Sequence, residues 1–189
     1  MLLRADKTHP IDGGPSFSLG NRAYRALWAI TWSLLCAWNP RFTLWRWRVL
    51  IVRLFGGQVD WTARIYPSAR IWSPANLTMA PRACLGGGVI CYSMGPIDIG
   101  ERAVISQGAH LCAGSHDISD PNFQLVVKSV NIRARAWIAA EAFVGPGVVV
   151  GEGAVLGARA VAFSNLDPHC VYVGNPATRS REVRRSQLS

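Results

Sequence analysis

A six-residue repeat in the C-terminal half constrains this chain more than any other feature. From residue 132 to 161 it runs unbroken through five units, each opened by an aliphatic residue: Ile132, Ile138, Val144, Val150 and Leu156. A period of six is neither the period of about 3.6 of a helix nor the period of about 2 of an ordinary strand. It therefore indicates a solenoid. We expect an all-β solenoid, a parallel β-helix in which three strand-and-turn units close one triangular coil. The first, aliphatic residues of the units, which we call openers, would stack in its interior.

The same rhythm continues upstream but is broken twice. Further units open at Ile65, Ile71, Leu77, Ile99, Ile105 and Leu111. Phase is lost between Ala83 and Ile97, where we expect the segments 84–88 and 94–96 to bulge or to extend a corner. The repeat stops again after His116, and Ile132 restores it. Because solenoids tolerate insertions on one face, often the binding face, this predicts an excursion loop over residues 117–131.

The remaining segments are appendages of the β-helix, which we place at residues 58–178. We expect residues 1–20 to be a polar leader, disordered or extended, and not a signal peptide. Residues 21–57 form a helical segment rich in tryptophan and arginine, and residues 179–189 form a basic C-terminal tail or a short helix. Five of the eight tryptophans belong to the helical segment: Trp28, Trp32, Trp38, Trp45 and Trp47.

Two interpretations of the helical segment are compatible with each other. In the first, its helices cap the open end of the solenoid or pack in an oligomer, since an uncapped β-helix exposes strand edges and core. In the second, its tryptophans and arginines contact the inner face of a membrane. The apolar run from Ala26 to Trp38 is too short to span a bilayer, which needs about 20 residues.

Charge and cysteine content narrow the partners and the compartment. The formal net charge is +9, and the arginines concentrate in the helical segment and at the C-terminus. No nucleic-acid-reading motif accompanies them, so we expect no nucleic-acid partner; lipid headgroups or cofactor phosphates are the better candidates. The five cysteines are odd in number and contain no CxxC pair, which argues against a disulfide framework or a zinc ribbon. Reduced thiols in the cytoplasm fit best.

A family resemblance rests on several motifs together. Ser115-His116-Asp117 stands at the root of the excursion, Ala136-Trp137-Ile138-Ala139-Ala140 follows it, and Val173-Gly174-Asn175-Pro176-Ala177 ends the repeats. This combination resembles the hexapeptide-repeat O-acetyltransferases, most closely the colanic-acid-biosynthesis branch. The resemblance implies a left-handed β-helix that forms a homotrimer with each site between two subunits. It further implies acetyl transfer from acetyl-CoA to a sugar hydroxyl, in exopolysaccharide or other glycan synthesis.

The resemblance also assigns roles to individual residues. His116 would act as general base in a direct transfer, because a neutral imidazole can take the proton of the attacking hydroxyl. A backbone N–H near Ala140 would stabilise the oxyanion, and Trp137 would form a wall of the coenzyme A channel. Further coenzyme A contacts would come from Gly157, Ala158, Asn175, Pro176, Ala177 and Arg179. On the acceptor side we expect Tyr92, Ser93, Asp117, Asp120 and Phe123, with Ser93 where related enzymes carry an asparagine.

Other functions stay open at this point. The acceptor could be an antibiotic or another small hydroxylated molecule, and the chain could be a non-catalytic β-helical scaffold. The γ-type carbonic anhydrases share the fold and bind zinc through histidines, and His110 takes a position equivalent to that of His116 in the preceding unit. Only His9 and His169 are available as further histidines. We therefore expect no metal.

Overall fold

A computed structural model of the protein describes residues 16–38 and 44–183. Most of the predicted leader, residues 1–15, therefore lies outside the described residues. So does the end of the basic tail, residues 184–189. The chain enters through two helices, α1 (Leu19–Leu35) and α2 (Trp45–Leu54). It then winds into a β-helix of about six turns, whose sides are three parallel sheets, A, B and C, visited in that order on each turn.

Short strands make up the three sheets. Sheet A contains β1 (Gln58–Val59), β4 (Leu77–Met79), β7 (Ile97–Ile99), β12 (Val130–Ile132) and β15 (Val149–Val150). Sheet B contains β2 (Arg64–Ile65), β5 (Cys84–Leu85), β8 (Val104–Ile105), β13 (Trp137–Ile138), β16 (Val155–Leu156), β18 (Cys170–Val173) and β19 (Thr178–Glu182). Sheet C contains β3 (Arg70–Ile71), β6 (Ile90–Tyr92), β9 (His110–Cys112), β14 (Phe143–Val144) and β17 (Val161–Ala162).

The predicted openers form the core. In sheet B the parallel register stacks buried side chains from successive coils, in the order Ile65, Leu85, Ile105, Ile138 and Leu156. Equivalent ladders run through sheets A and C. Each coil therefore buries its apolar side chains mainly against the coils above and below it, as the six-residue period predicts.

The structure confirms one predicted phase shift, contradicts another and reveals a third. Cys84–Leu85 is a regular strand, and Leu85 and Cys91 pair in register with Ile105 and Leu111, so the expected bulge at 84–88 is wrong. The shift expected at 94–96 is confirmed, because two buried residues, Ile97 and Ile99, share one strand after it. A matching shift, missed by the sequence analysis, follows a 3-10 turn at Pro74–Asn76. Both shifts lengthen the corner between sheets C and A.

The excursion is an ordered hairpin rather than an open loop. β10 (Gly114–His116) pairs antiparallel with β11 (Leu125–Val127), so the departure from the coil begins at Gly114 instead of Asp117. The coil resumes with β12, where Ile132 pairs with Ile99 as the phase requires. The hairpin therefore projects from the corner between sheets C and A.

The helical segment caps the first coil, as one of the two interpretations predicts. Trp28 on α1 is buried and its indole Nε1 donates a hydrogen bond of 2.6 Å to the Ile71 carbonyl. Arg48 on α2 is also buried and donates from Nε to the Ile65 carbonyl at 2.6 Å. These bonds satisfy carbonyls that the missing preceding coil would otherwise have bonded. Among the described residues, no helix combines the length and the apolar character needed to cross a bilayer.

At the opposite end, the first part of the basic tail adds an edge strand to sheet B. This segment is neither a helix nor irregular, because Thr178–Glu182 forms β19, which pairs antiparallel with β18. Its five side chains are all exposed. A short, charged outer strand of this kind protects the edge of a sheet from pairing with other chains.

Candidate functional site

The His116 imidazole is held in one orientation by the hairpin. Its Nδ1 lies 2.8 Å from the Phe123 carbonyl oxygen, and its ring stacks on the Phe123 ring with 4.5 Å between centroids and 7° between planes. A carbonyl oxygen can only accept, so Nδ1 must carry the proton and donate it. In the neutral ring this leaves Nε2 with a free lone pair, the state that a general base requires.

Two aspartates shape the loop that presents the Phe123 carbonyl. Asp117 Oδ1 accepts from the Ser119 N–H at 2.9 Å, and Asp120 Oδ1 accepts from the Asn122 N–H at 2.7 Å. Such side-chain turns fix a loop locally. Asp117 and Asp120 were predicted to bind the acceptor; the structure shows them supporting His116 through the loop, with Phe123 as its direct contact.

A second group of predicted residues lies at the corner between sheets B and C. Trp137 is 49% exposed, and its indole Nε1 donates to Ser106 Oγ at 2.9 Å. Beside Ser106 a groove of about 460 Å³ follows this corner over the first three coils, with Tyr66 and Gln107 in its wall. Ser106 and Gln107 were not among the predicted site residues. The register that pairs Trp137 with Val104 brings Ser106 within reach of Trp137 and continues to Gln107 opposite Ala140.

The Ala140 backbone N–H is available at the same corner. The Ala140 carbonyl accepts from the Arg159 N–H at 2.9 Å, but no hydrogen bond within the described residues uses the Ala140 N–H. The neighbouring Glu141 carboxylate pairs with the Arg159 guanidinium at 2.6 Å, an exposed contact that joins two successive coils. Ala140 therefore offers an unused donor on an edge that the coil geometry holds in place.

Gly157 and Ala158, one coil further on, were both predicted to contact coenzyme A. The structure leaves Ala158 as the better candidate. The Gly157 N–H donates to the Tyr172 carbonyl at 2.8 Å, and a Cβ at Gly157 would stand 2.9 Å from Val173 Cγ1. Packing alone therefore explains this glycine. Ala158 is exposed at the corner, and its N–H forms no hydrogen bond with the described residues.

The predicted nucleotide-end residues follow β18. Asn175 and Pro176 are exposed, and the Ala177 N–H donates to the Val161 carbonyl at 2.8 Å. Arg179 pairs with Glu182 at 3.0 Å and lies 3.9 Å from Asp167. A phosphate bound by Arg179 would therefore compete with two carboxylates, both of which are exposed and easily displaced.

The acceptor-side residues on sheet C do not all face outward. Tyr92 stands in a row of rings between Trp72 and His110, at centroid distances of 6.0 and 6.3 Å, and burial raises the pKa of its phenol. Ser93 is fully buried, and its hydroxyl accepts from the Ser73 N–H and donates to the Ser73 carbonyl. Because this hydroxyl is used inside the fold, the expectation that Ser93 contacts the acceptor is wrong.

One chain does not bring the two halves of the predicted site together. The hairpin with His116 leaves the corner between sheets C and A, whereas Trp137 and Ala140 stand on sheet B and at its corner with sheet C. No hydrogen bond or ring contact links His116 to either residue within the part of the chain that the structure describes. Over the same residues, no three His, Cys, Asp or Glu side chains are grouped so that they could hold a metal ion.

Solved structures share this architecture. A maltose O-acetyltransferase from Clostridium difficile superposes with a TM-score of 0.78 at 18% identity, covering 97% of this chain and 96% of that protein. A hexapeptide-repeat acetyltransferase from Vibrio cholerae, solved with acetyl coenzyme A, gives a TM-score of 0.76 at 18% identity, with 94% and 100% covered. The fold is thus the left-handed parallel β-helix of the hexapeptide-repeat acetyltransferases.

Sequence comparison identifies the branch. No family model matches the chain. The "putative colanic acid biosynthesis acetyltransferase WcaF" of Escherichia coli and that of Shigella flexneri are each 39% identical to it over 166 residues, covering 88% of this chain and 91% of the relative. The protein belongs to the colanic acid biosynthesis acetyltransferase family, and it is an enzyme of the acetyltransferase class.

Proposed function

We propose that the protein transfers an acetyl group from acetyl-CoA to a hydroxyl of a sugar or glycan intermediate in exopolysaccharide synthesis. The name of its 39% identical relatives supports the pathway. The solved complexes of similar folds with acetyl-CoA, and with coenzyme A in a galactoside acetyltransferase, support the co-substrate. The observation that carries the proposal is the His116 ring, whose Nδ1 is tied to the Phe123 carbonyl while Nε2 is left as a base.

The proposed transfer is direct. Nε2 of His116 takes the proton of the acceptor hydroxyl while its oxygen attacks the thioester carbon, and the Ala140 N–H stabilises the negative charge that forms on the carbonyl oxygen. The C–S bond then breaks, and the proton on His116 passes to the departing thiolate to give coenzyme A. A direct transfer needs no cysteine nucleophile. Burial also raises the pKa of Cys91 to about 12 and that of Cys36 to about 11, so these two thiols are poor nucleophiles.

We propose a homotrimer in which the hairpin of one subunit reaches the sheet B and C corner of the next. The separation of His116 from Trp137 and Ala140 within one chain supports this arrangement. Subunits carrying His116→Ala and subunits carrying Trp137→Ala should each be weakly active alone. Random mixing should restore roughly a quarter of the interfaces, because each intact site takes its base from one subunit and its wall from another. Mixtures no more active than their parents would contradict shared sites.

The reaction itself needs a direct test. Incubation with acetyl-CoA and a panel of nucleotide sugars and lipid-linked glycans should release thiol and add the mass of one acetyl group to one acceptor. His116→Ala should lower kcat on that acceptor by about 10²- to 10⁴-fold. His169→Asn is the matched control, because His169 is exposed, lies on a different corner and has a positive φ that asparagine tolerates. Full activity of His116→Ala would refute the mechanism.

We place this reaction in the cytoplasm. The five cysteines form no disulfide, and Cys36, Cys91 and Cys170 are buried as small apolar side chains. Free thiols throughout a chain are typical of proteins in reducing compartments.

A further inference from the structure

The outward side of α1 is apolar, and the described residues leave it largely exposed. Trp28 and Trp32 face the β-helix and are buried. The opposite side carries Leu19, Leu27, Ile30 and Leu34, which are 79%, 58%, 57% and 65% exposed. Four large aliphatic side chains on one helix face form a contiguous patch of a kind that soluble proteins reserve for binding.

Tryptophans extend this patch where the two helices meet. Trp38 is 72% exposed, and its indole N–H bonds to the Leu34 carbonyl at the end of α1. Trp47, near the start of α2, is 39% exposed and donates to the Leu35 carbonyl at 3.0 Å. Indole rings are enriched at the level of lipid headgroups, because they combine an apolar body with a polar N–H.

The charge of the helical segment is of one sign. From Gly13 to Val59 the chain contains six arginines and no aspartate or glutamate. Arg22 and Arg46 are exposed, and neither forms an ion pair with a described residue. An apolar helix face bordered by unneutralised arginines has the composition of helices that lie in the surface of an anionic membrane.

We propose that the helical segment docks the enzyme on an anionic bilayer, with the Leu27–Ile30–Leu34 face of α1 inserted at the headgroup level. The buried Trp28 and Trp32 hold α1 against the β-helix, so α1 would lie flat rather than enter end-on. A second copy of this chain is the less suitable occupant, because it would bring two surfaces of the same positive charge together. The proposal does not depend on acetyl transfer.

Vesicle sedimentation without acetyl-CoA tests the apolar face. The protein should bind vesicles of phosphatidylcholine with added phosphatidylglycerol. A triple variant with Leu27→Gln, Ile30→Gln and Leu34→Gln should bind about 100-fold more weakly, from the loss of three partly buried side chains. Glutamine favours helix, so α1 should persist, and circular dichroism checks it. The matched control is Phe163→Gln, an apolar side chain on the β-helix that is 67% exposed; its binding should be unchanged.

Charge supplies an independent arm of the test. Arg22→Gln and Arg46→Gln should each weaken binding to the anionic vesicles by about five-fold and have little effect on vesicles of phosphatidylcholine alone. The proposal would be refuted if the wild-type protein bound neither kind of vesicle, or if the triple variant bound as tightly as the wild type. Light scattering tests whether the apolar face of α1 instead packs against a second copy of the chain. If the triple variant changes the mass of the particle in solution, the face packs against another copy and the proposal is wrong.

Discussion

Replacing Ala140 by proline removes one backbone N–H and very little else. Ala140 stands two residues after the buried Ile138, at a corner of the coil. Proline already occupies the same place in four other units of this chain, at Pro67, Pro81, Pro146 and Pro168. The Ala140 N–H donates no hydrogen bond within the described residues, so none of these bonds is lost. Ala140→Pro should therefore fold normally.

Stability and catalysis should then respond in opposite ways to Ala140→Pro. A proline at a compatible position stabilises a protein by about 0.4 to 1 kcal/mol, because it restricts the unfolded chain. Loss of one oxyanion donor lowers kcat by about 10²- to 10³-fold, equivalent to about 3 to 4 kcal/mol of transition-state stabilisation. The KM for acetyl-CoA should stay unchanged, because the N–H is needed most when charge forms on the oxygen.

The assay is thiol release with the acceptor found in the panel, paired with thermal unfolding followed by circular dichroism. The matched control is Glu101→Pro, at the same place of a unit on the corner between sheets A and B, where Pro81 stands one coil earlier. The Glu101 side chain forms an exposed ion pair with Arg102, of little energetic weight, and the Glu101 carbonyl, which accepts from the Arg135 N–H, is kept by proline. The control should leave kcat unchanged and should gain about the same 0.4 to 1 kcal/mol of stability, since proline restricts the unfolded chain equally at both positions. A folded Ala140→Pro enzyme with the wild-type kcat would refute the role of this N–H.

Three further predictions test other parts of the structure. Phe123→Leu should lower kcat by about 2- to 10-fold through loss of the stack on His116, whereas an increase in acceptor KM alone would make Phe123 a substrate contact. Gly100→Ala should destabilise the fold by about 1 to 3 kcal/mol in chemical denaturation, because its Cβ would stand 2.6 Å from the Ala134 nitrogen; an unchanged midpoint would contradict this. Burial lowers the pKa of His110 in the folded state, so the wild type should lose stability as the pH falls below the ordinary histidine pKa. His110→Phe should reduce the difference in melting temperature between about pH 7 and about pH 5, and an equal difference would refute the argument.

The six-residue period predicted the fold because the openers are the core. It failed locally for two physical reasons. Cys91 fills an opener position with a thiol, which is buried like its neighbour Leu111 but does not count as aliphatic in a search for the repeat. The second reason concerns Leu77 and Met79, two apolar residues buried by the same strand of sheet A. Because either of them could open a unit, the sequence does not reveal that the preceding corner is two residues longer.

The candidate site could be proposed from the sequence where a residue able to act as a base coincides with a break in the six-residue repeat. His116 marks the end of the repeat, and this pointed to it. The loop hydrogen bonds of Asp117 and Asp120 were not foreseen, because a carboxylate that fixes a turn and one that binds a sugar look alike in sequence. Ser106 was missed because its bond to Trp137 joins residues on successive coils, a contact that only the register reveals.

The proposed mechanism uses residues from two different corners of the β-helix, and the buried Ser93 is not among them. In the proposed mechanism the acceptor meets its base, His116, at the hairpin on the corner between sheets C and A. The unused Ala140 N–H is on the corner between sheets B and C. In a three-fold assembly the same pair of unlike corners meets at every interface, so a single contact would complete three sites. The proposed mechanism therefore requires an interface at which the hairpin of one subunit reaches the sheet B and C corner of the next, and the mixed-subunit experiment tests for that interface.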